Sequence, residues 1–451
     1  MTAFEEKWIS YKEEFLEDLR SLVAIPSVRD TAHAQPNAPF GPAIRQVFDR
    51  FLEIAKKCGL ETHDVDGYAC DARLGDCQSP YIGVLGHLDV VASGEESLWR
   101  TPPFSMHIDE NEMLYGRGVN DDKGPLLACL YVVRILKELQ IPCKYGIRII
   151  AGGAEETTWE CMRTYFAHEP QPIMGFSPDG NFPIVNGEKG IRKYDFHFAQ
   201  AAPAQNLPWI SQITCSTTQN YVCDQVTVTL EPAHITQTFT GIRALSRNPQ
   251  RGQNALLALA KQMHTVNLAQ SAYNRCFSLL HTCFAPDTDG AACGIASYDA
   301  EMGATSVCPT GLLQTSDGLH LYVDVRYPRS TTPEILDAQI EKLAKQYDFS
   351  YTVTDQKKLL YVPQQHPLLI ALSEAYTHVT KQPAQYFTKG GASYARMLDC
   401  GIAFGATFPD EETQPHMPNE CMSFPSLSTA AKIYYEALVR LASAELYELP
   451  Q

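Results

Sequence analysis

The sequence has no run of five or more basic residues, and its 52 acidic against 36 basic residues give a formal net charge of −16. A surface of this sign repels polyanions, so nucleic acids and anionic membranes are excluded as expected partners. No signal peptide is expected either, because acidic residues stand where a basic segment would be needed and no apolar run follows them. No stretch reaches the ~20 apolar residues that a membrane-spanning helix needs. We therefore expect a cytoplasmic protein.

Cys-x-x-Cys pairs, internal repeats and low-complexity segments are lacking too. The 14 cysteines are scattered along the chain, and without a secretory signal they are expected to be reduced, mostly buried thiols. The length of 451 residues exceeds that of one ordinary core, which predicts two or three domains.

Hydrophobic periodicity predicts that one type of domain interrupts another. Helices alternate with strands before residue 193 and after residue 352, which is typical of an α/β domain with a largely parallel sheet. In that part we expect helices at 4–25, 43–60, 125–139, 366–380 and 426–446, and strands at 81–85, 145–151 and 401–404. Between these parts, strands at 226–230 and 321–325 and helices at 254–264 and 332–346 predict a separate α+β domain.

Acidic residues and histidines follow the predicted strands. They are His87 and Asp89, Asp121 in a glycine-rich loop, Glu155 with Glu156, and Asp179, while His416 lies in a loop before the last helix. Taken alone, each has an ordinary explanation as a turn, a helix start or a surface polar group. Because ligands bind at the carboxyl ends of strands in open parallel sheets, their joint placement predicts one functional site.

This set of side chains suits metal-assisted hydrolysis. Two imidazoles with several carboxylates favour zinc, manganese or cobalt over a hard cation. Two such ions ~3.5–4 Å apart can hold a bridging water and lower its pKa. A carboxylate outside the metal shell is then needed to move the proton, and another to orient a liganding histidine, which the spacing of His87 and Asp89 permits.

Six segments resemble one enzyme family. They are GHLDVV (86–91), LYGRGVNDDKGP (114–125), AGGAEE (151–156), residues 176–190, and TKGGASYAR (388–396) followed by GIAFGATFP (401–409). In this order they resemble the co-catalytic zinc metallopeptidases that include aminoacylase, carnosinase and carboxypeptidase G. The likeness covers nearly the whole chain and is closest to the bacterial dipeptidase PepV type.

The resemblance implies a role for each residue of the predicted centre. His87 and Asp179 would hold one metal ion, Glu156 and His416 the other, and Asp121 would bridge them. Glu155 would be the general base, and Asp89 would orient His87. The cofactors would be two divalent ions, zinc first, with manganese or cobalt as alternatives. The implied fold is an α/β catalytic domain (residues 1–192 and 353–451) with a mostly parallel sheet flanked by helices, interrupted by an inserted α+β lid domain (193–352).

The resemblance also implies substrate-binding groups. Asn220 and Arg326 of the lid would bind the oxyanion, and Gly390, Gly391 and Ser393 would recognise a carboxylate through backbone N–H groups. One departure stands out, because Leu245 occupies the place of the family's lid histidine and cannot donate a hydrogen bond. Losing one oxyanion donor costs ~100- to 1000-fold in turnover in well-studied hydrolases. Arg243 and Arg247 are candidates to compensate.

The expected function is therefore a dipeptidase that hydrolyses the peptide bond through a metal-bridging water and a Glu base, with a small dipeptide as substrate. Two alternatives remain open at this point. One is a deacylase of N-acyl amino acids, and the other is a metal-binding small-ligand protein with weak catalysis because of Leu245. The sequence allows a monomer or a homodimer.

Overall fold

The chain forms two compact units. The computed structural model describes residues 1–76, 80–201, 204–216 and 219–443. The first unit comprises Met1–Asn186, Val362–Phe387 and the chain from Ser393 onward. The second comprises Gly187–Tyr361 and the short segment Thr388–Ala392.

The α-helices of the described chain are bounded as follows: α1 (Ala3–Ser10), α2 (Lys12–Val23), α3 (Pro42–Lys57), α4 (Lys123–Glu138), α5 (Glu160–His168), α6 (Ala255–Met263), α7 (Ser271–Leu279), α8 (Pro333–Tyr347), α9 (Pro367–Thr380) and α10 (Phe424–Ser443). Proline occupies the first turn of α3, α8 and α9, where its missing N–H leaves no hydrogen bond unmade.

The strands are β1 (Glu61–Val65), β2 (Ala69–Leu74), β3 (Tyr81–His87), β4 (His107–Ile108), β5 (Met113–Tyr115), β6 (Gly146–Gly152), β7 (Met174–Ser177), β8 (Ile184–Glu188), β9 (Gly190–Ala199), β10 (Trp209–Cys215), β11 (Gln225–Glu231), β12 (Ile235–Thr240), β13 (Tyr298–Asp299), β14 (Gly303–Ala304), β15 (Ser306–Gln314), β16 (Gly318–Tyr327), β17 (Ser350–Lys357), β18 (Leu360–Tyr361), β19 (Tyr386–Lys389), β20 (Gly401–Ala403) and β21 (Cys421–Ser423).

The central sheet of the first unit runs in the order β1-β2-β6-β3-β7-β20-β8. Its four middle strands, β6, β3, β7 and β20, are parallel, and the pairs toward both edges are antiparallel. Strands β3 and β6 are buried along their whole length, as expected for strands covered on both faces. The predicted α/β class is confirmed, with parallel pairing confined to the middle of the sheet.

The second unit is built on antiparallel sheets. One has the order β15-β16-β9-β17 and another β10-β11-β12. Alternate residues of β9, among them Tyr194, Phe196 and Phe198, are buried and pack with residues of α6, α7 and α8 in one hydrophobic core. The residues between them face away from that core, as the two-residue period of a strand requires.

Most predicted elements appear within a few residues of their expected ends. The expected helix at 4–25 is two helices, because the chain leaves helical geometry at Tyr11 (ψ 0°). The expected end of the last helix at 446 lies outside the described residues, which stop at Ser443 in that helix. Among the helices that the structure describes, none combines the length and apolar character needed to cross a bilayer.

Candidate functional site

Three neighbouring parallel strands end at one edge of the central sheet and deliver polar side chains there. His87 is the last residue of β3 and pairs in register with Gly152, the last residue of β6. Glu155 and Glu156 follow β6 within four residues, and Asp179 follows β7 within two. Because parallel strands point the same way, their carboxyl ends bring these side chains together.

The carboxylate of Asp121 lies between two imidazoles. Its Oδ1 is 2.9 Å from His87 Nε2, and its Oδ2 is 2.9 Å from His416 Nε2. Glu156 Oε2 lies 3.0 Å from the same nitrogen of His416. Asp179 Oδ2 approaches His87 Nε2 to 3.9 Å. One carboxylate therefore faces both histidines, with a further carboxylate beside each.

A buried glutamate that our sequence analysis did not select holds the loop that carries Asp121. Glu420 Oε1 accepts hydrogen bonds from the backbone N–H groups of Gly118, Asn120 and Asp121 at 3.0–3.1 Å. Its other oxygen pairs with Arg117 Nη1 at 2.8 Å. Glu420 is fully buried, and it lies four residues after His416, so it also fixes the loop that bears this histidine. An isolated acidic residue in a loop gives no sequence signal of such a role.

Asp89 connects two parts of the site. Its carboxylate oxygens each accept one backbone N–H, from Glu155 and from Glu156, both at 3.1 Å. Its backbone carbonyl lies 2.9 Å from His87 Nδ1, whereas its carboxylate is 3.6 Å from that nitrogen. The closer contact that orients His87 is thus made by the Asp89 backbone, while the Asp89 side chain holds the turn of the two glutamates.

The histidines are held in their charged form by the surrounding carboxylates. Burial alone would lower the pKa of His87, but the hydrogen bond to Asp121 and the nearby carboxylate of Asp89 raise it well above the ordinary histidine value. Hydrogen bonds to Asp121 and Glu156 raise the pKa of His416 to about 11. In turn, these two imidazoles lower the pKa of Asp121 despite its burial. A divalent cation would supply the same positive charge.

Burial raises the pKa of both glutamates, and a hydrogen bond opposes the rise in one of them. Burial raises the pKa of Glu155 well above its usual value, and the charge of Asp179 adds to the effect. Burial also raises the pKa of Glu156, to about 7, against the opposing hydrogen bond from His416. So many carboxyl groups with little access to water need added positive charge to ionise together.

The donor set fits metal ions. Ligand atoms of His87, Asp121 and Glu156 lie within 4.8 Å of one another, as do those of His87, Glu155 and Asp179. Imidazole and carboxylate are the donors that zinc and related transition metals prefer. All seven residues predicted for the metal centre therefore lie in one part of the first unit. Their individual roles stay predictions.

Within the second unit, a chain of contacts links most of the predicted substrate residues. The Asn220 carbonyl accepts the N–H of Ser246, and the Ser246 hydroxyl donates to Asp324. Asp324 forms a two-pronged ion pair with Arg326, both contacts measuring 2.8 Å. Arg326 Nη1 also donates to the carbonyl of Gly390 at 3.0 Å. Ser393 belongs to the first unit and is buried.

Arg247 reaches the same glycine segment, whereas Arg243 does not. A Cβ atom added at Gly391 would lie 3.1 Å from Arg247 Nη1, and one added at Gly390 would lie 3.2 Å from Arg247 Cβ. Arg243 stacks instead on the ring of Tyr221, 4.2 Å from its centre. Leu245, between them, is 37% exposed. Partial burial and the nearby charge of Arg326 lower the pKa of Arg247.

The chain is similar in sequence to a known protein family over most of its length. Residues 83–440 match the model of Peptidase family M20/M25/M40. A protein of Staphylococcus aureus strain MW2 named "putative dipeptidase" is 32% identical over 98% of this chain and 100% of its own length.

Two solved structures share the fold. The di-peptidase Dug1p of Saccharomyces cerevisiae has a TM-score of 0.62 at 15% identity and covers 98% of this chain and 99% of its own. Human carnosine dipeptidase 1 has a TM-score of 0.57 at 16% identity with the same coverage. The family resemblance inferred from the motifs is confirmed: this chain belongs to Peptidase family M20/M25/M40 and is an enzyme that hydrolyses peptide bonds.

Proposed function

We propose that this enzyme is a dipeptidase whose centre holds two divalent cations. The observation that carries the proposal is the position of Asp121, with one carboxylate oxygen 2.9 Å from a nitrogen of His87 and the other 2.9 Å from a nitrogen of His416. A carboxylate so placed can bridge two ions. The name of the S. aureus relative supports a dipeptide as substrate.

The two ions would have separate ligands besides the shared Asp121. His87 and Asp179 would hold one, and Glu156 and His416 the other, with zinc expected first and manganese or cobalt as alternatives. When bound, such ions polarise a carbonyl and lower the pKa of a water molecule. The carboxylate of Asp89 accepts backbone N–H groups of the turn that carries Glu156. The carboxylate of Glu420 does the same for the loop that carries Asp121.

Glu155 is the proposed general base. It follows β6 beside the ligands, and the turn that carries it is fixed by Asp89. Burial already raises its pKa, which suits a group that must accept a proton from water and then donate it to the leaving amine. Glu155 also lies in the segment AGGAEE (151–156), which resembles the family's motif, and this position supports the same role.

We further propose that the second unit is a lid, which would supply substrate contacts. Asn220 and Arg326 would stabilise the oxyanion, and the backbone of Gly390 and Gly391 with Ser393 would bind the substrate's carboxylate. Because Arg247 lies against this glycine segment, we assign to Arg247 a charge-assisted contact with that carboxylate. The described cysteines are free thiols, which supports a cytoplasmic location.

Hydrolysis of a mixed dipeptide library tests the function directly. We expect metal-dependent loss of particular dipeptides by mass spectrometry, abolished by chelator and restored by Zn²⁺ or Mn²⁺. N-acetyl amino acids in the same assay test the deacylase alternative. Turnover of those compounds alone would replace the dipeptidase with a deacylase, and metal binding with no turnover of either class would favour a binding protein.

Substitution of the base separates catalysis from metal binding. Glu155→Gln should reduce kcat by about 100- to 10,000-fold, the usual worth of a positioned acid–base group, while the metal content per chain stays unchanged. Glu160→Gln is the matched control, since the ion pair that the structure describes for Glu160 is with Arg29, at 2.6 Å. Wild-type turnover in Glu155→Gln would remove Glu155 from the mechanism.

Metal binding should release protons near pH 7. In the metal-free chain the raised pKa values keep His87 and His416 protonated, yet a metal ligand must be a neutral imidazole. We expect release of about two protons per chain from these histidines, measured by calorimetry in buffers of different ionisation enthalpy. Binding without proton release would contradict the assignment of these two residues as ligands.

Substitution of Arg247, with Arg243 as the matched control, tests the proposed contact with the substrate's carboxylate. Arg247→Met should raise KM for dipeptides and lower kcat/KM by about 10- to 150-fold, the range for a lost charged hydrogen bond. Arg243→Met should change little, because Arg243 stacks on Tyr221. On a dipeptide amide, which has no carboxylate, the Arg247→Met effect should vanish. An equal loss on both substrates would show that Arg247 does not bind the carboxylate.

A further inference from the structure

Two histidines face each other across adjacent strands of the second unit. His197 on β9 and His320 on β16 are direct partners in the antiparallel register. Their rings stack with centroids 4.7 Å apart and planes 27° apart. Both lie on the face of the sheet opposite Phe196 and Phe198, which belong to the core. The pair is thus held by the sheet itself, on the face away from that core.

An aspartate in the turn before β16 completes a group of three. Ligand atoms of His197, His320 and Asp317 lie within 4.8 Å of one another, and His197 Nε2 is 3.5 Å from Asp317 Oδ2. Although the His197 side chain is partly exposed, its Nε2 atom is buried and has no hydrogen-bond partner among the described residues. A buried polar atom without a partner is costly, which points to a ligand at this position.

Neighbouring groups hold the three side chains in place. Asp195 contacts His320 Nδ1 with both carboxylate oxygens at 2.9 Å, and this leaves the Nε2 atom of the ring for an ion. A carboxylate behind a liganding histidine is a frequent feature of metal sites. The hydroxyl of Thr315 donates to Asp317 Oδ1 at 2.6 Å, so that Oδ2 faces His197. Gly318 leaves room, because a Cβ atom there would be 2.8 Å from His197 Nε2.

We propose that His197, His320 and Asp317 bind one transition-metal ion, separate from the catalytic centre. Two imidazoles and one carboxylate are donors for Zn²⁺, with Cu²⁺ and Ni²⁺ as competitors, and they disfavour Mg²⁺ and Ca²⁺. Donor atoms around one zinc ion are ~3.3 Å apart at its usual bond lengths, so small side-chain rotations complete the site. The ion would connect β9 to the turn between β15 and β16, and water would fill its remaining position.

Zinc stoichiometry of the full-length chain tests this site. Equilibrium dialysis against Zn²⁺ followed by elemental analysis should show one ion per chain fewer in His320→Gln than in the wild type. His234→Gln is the matched control, because His234 is an exposed histidine of the same unit that pairs only with Glu231. It should retain the wild-type content. Zn²⁺ should also raise the unfolding temperature of the wild type more than that of His320→Gln.

Two further variants keep the outcome decisive. Asp317→Asn removes a ligand charge from an exposed turn, and it should lose the same single ion even if His320→Gln folds poorly. His87→Ala disturbs the catalytic centre, and the ion in the second unit should persist there. Equal zinc content in the wild type, His320→Gln and Asp317→Asn would overturn the proposal, as would an equal loss in His234→Gln, which would indicate adventitious binding. None of these results depends on dipeptidase activity.

Discussion

Asp121 places its two carboxylate oxygens against two different imidazoles, and the charge balance of the whole centre depends on this arrangement. Glu155, Glu156 and Asp179 gather around the same histidines, where burial opposes ionisation of the glutamates. In the metal-free chain, the charge that offsets them is the pair of protons on His87 and His416. In the proposed metal centre, cations would take the place of those protons, so that one kind of positive charge would be exchanged for another.

Two buried carboxylates hold the loops of this centre by accepting hydrogen bonds from backbone N–H groups. Glu420 holds the Asp121 loop through three N–H groups, and Asp89 holds the turn of Glu155 and Glu156 through two. Backbone donors have no side-chain rotamers to order, so these contacts add no side-chain entropy loss on the donor side to the backbone entropy that the ordered loop has already lost. Each anchor carboxylate avoids an uncompensated buried charge because several donors face it.

In the second unit, arginine side chains rather than carboxylates are the charged groups that contact the backbone of a loop. Asp324 is nearly fully buried and pairs with Arg326, which in turn contacts the Gly390 carbonyl. Arg247 lies against the same glycines and forms no ion pair with another described residue. An arginine held close to a second arginine suits an anionic ligand. In the same unit, His197 and His320 bring two imidazole rings together across adjacent strands, and imidazole nitrogen is a donor that suits a metal ion.

The sequence by itself determined the α/β class, most helix and strand positions near the site, the family, and the identity of the residues that meet at the sheet edge. These follow from local periodicity and from motifs directly after buried strands. The sequence missed the break at Tyr11 and the strands β1 and β2, since the charged and polar residues within both strands interrupt any apolar pattern. Only the tertiary structure decided how the residues are held. Glu420 lies about 300 positions from the N–H groups that it binds, and His197 meets His320 through strand register. Such contacts join residues distant in the chain, and no local pattern records them, because they arise only when the sheets form.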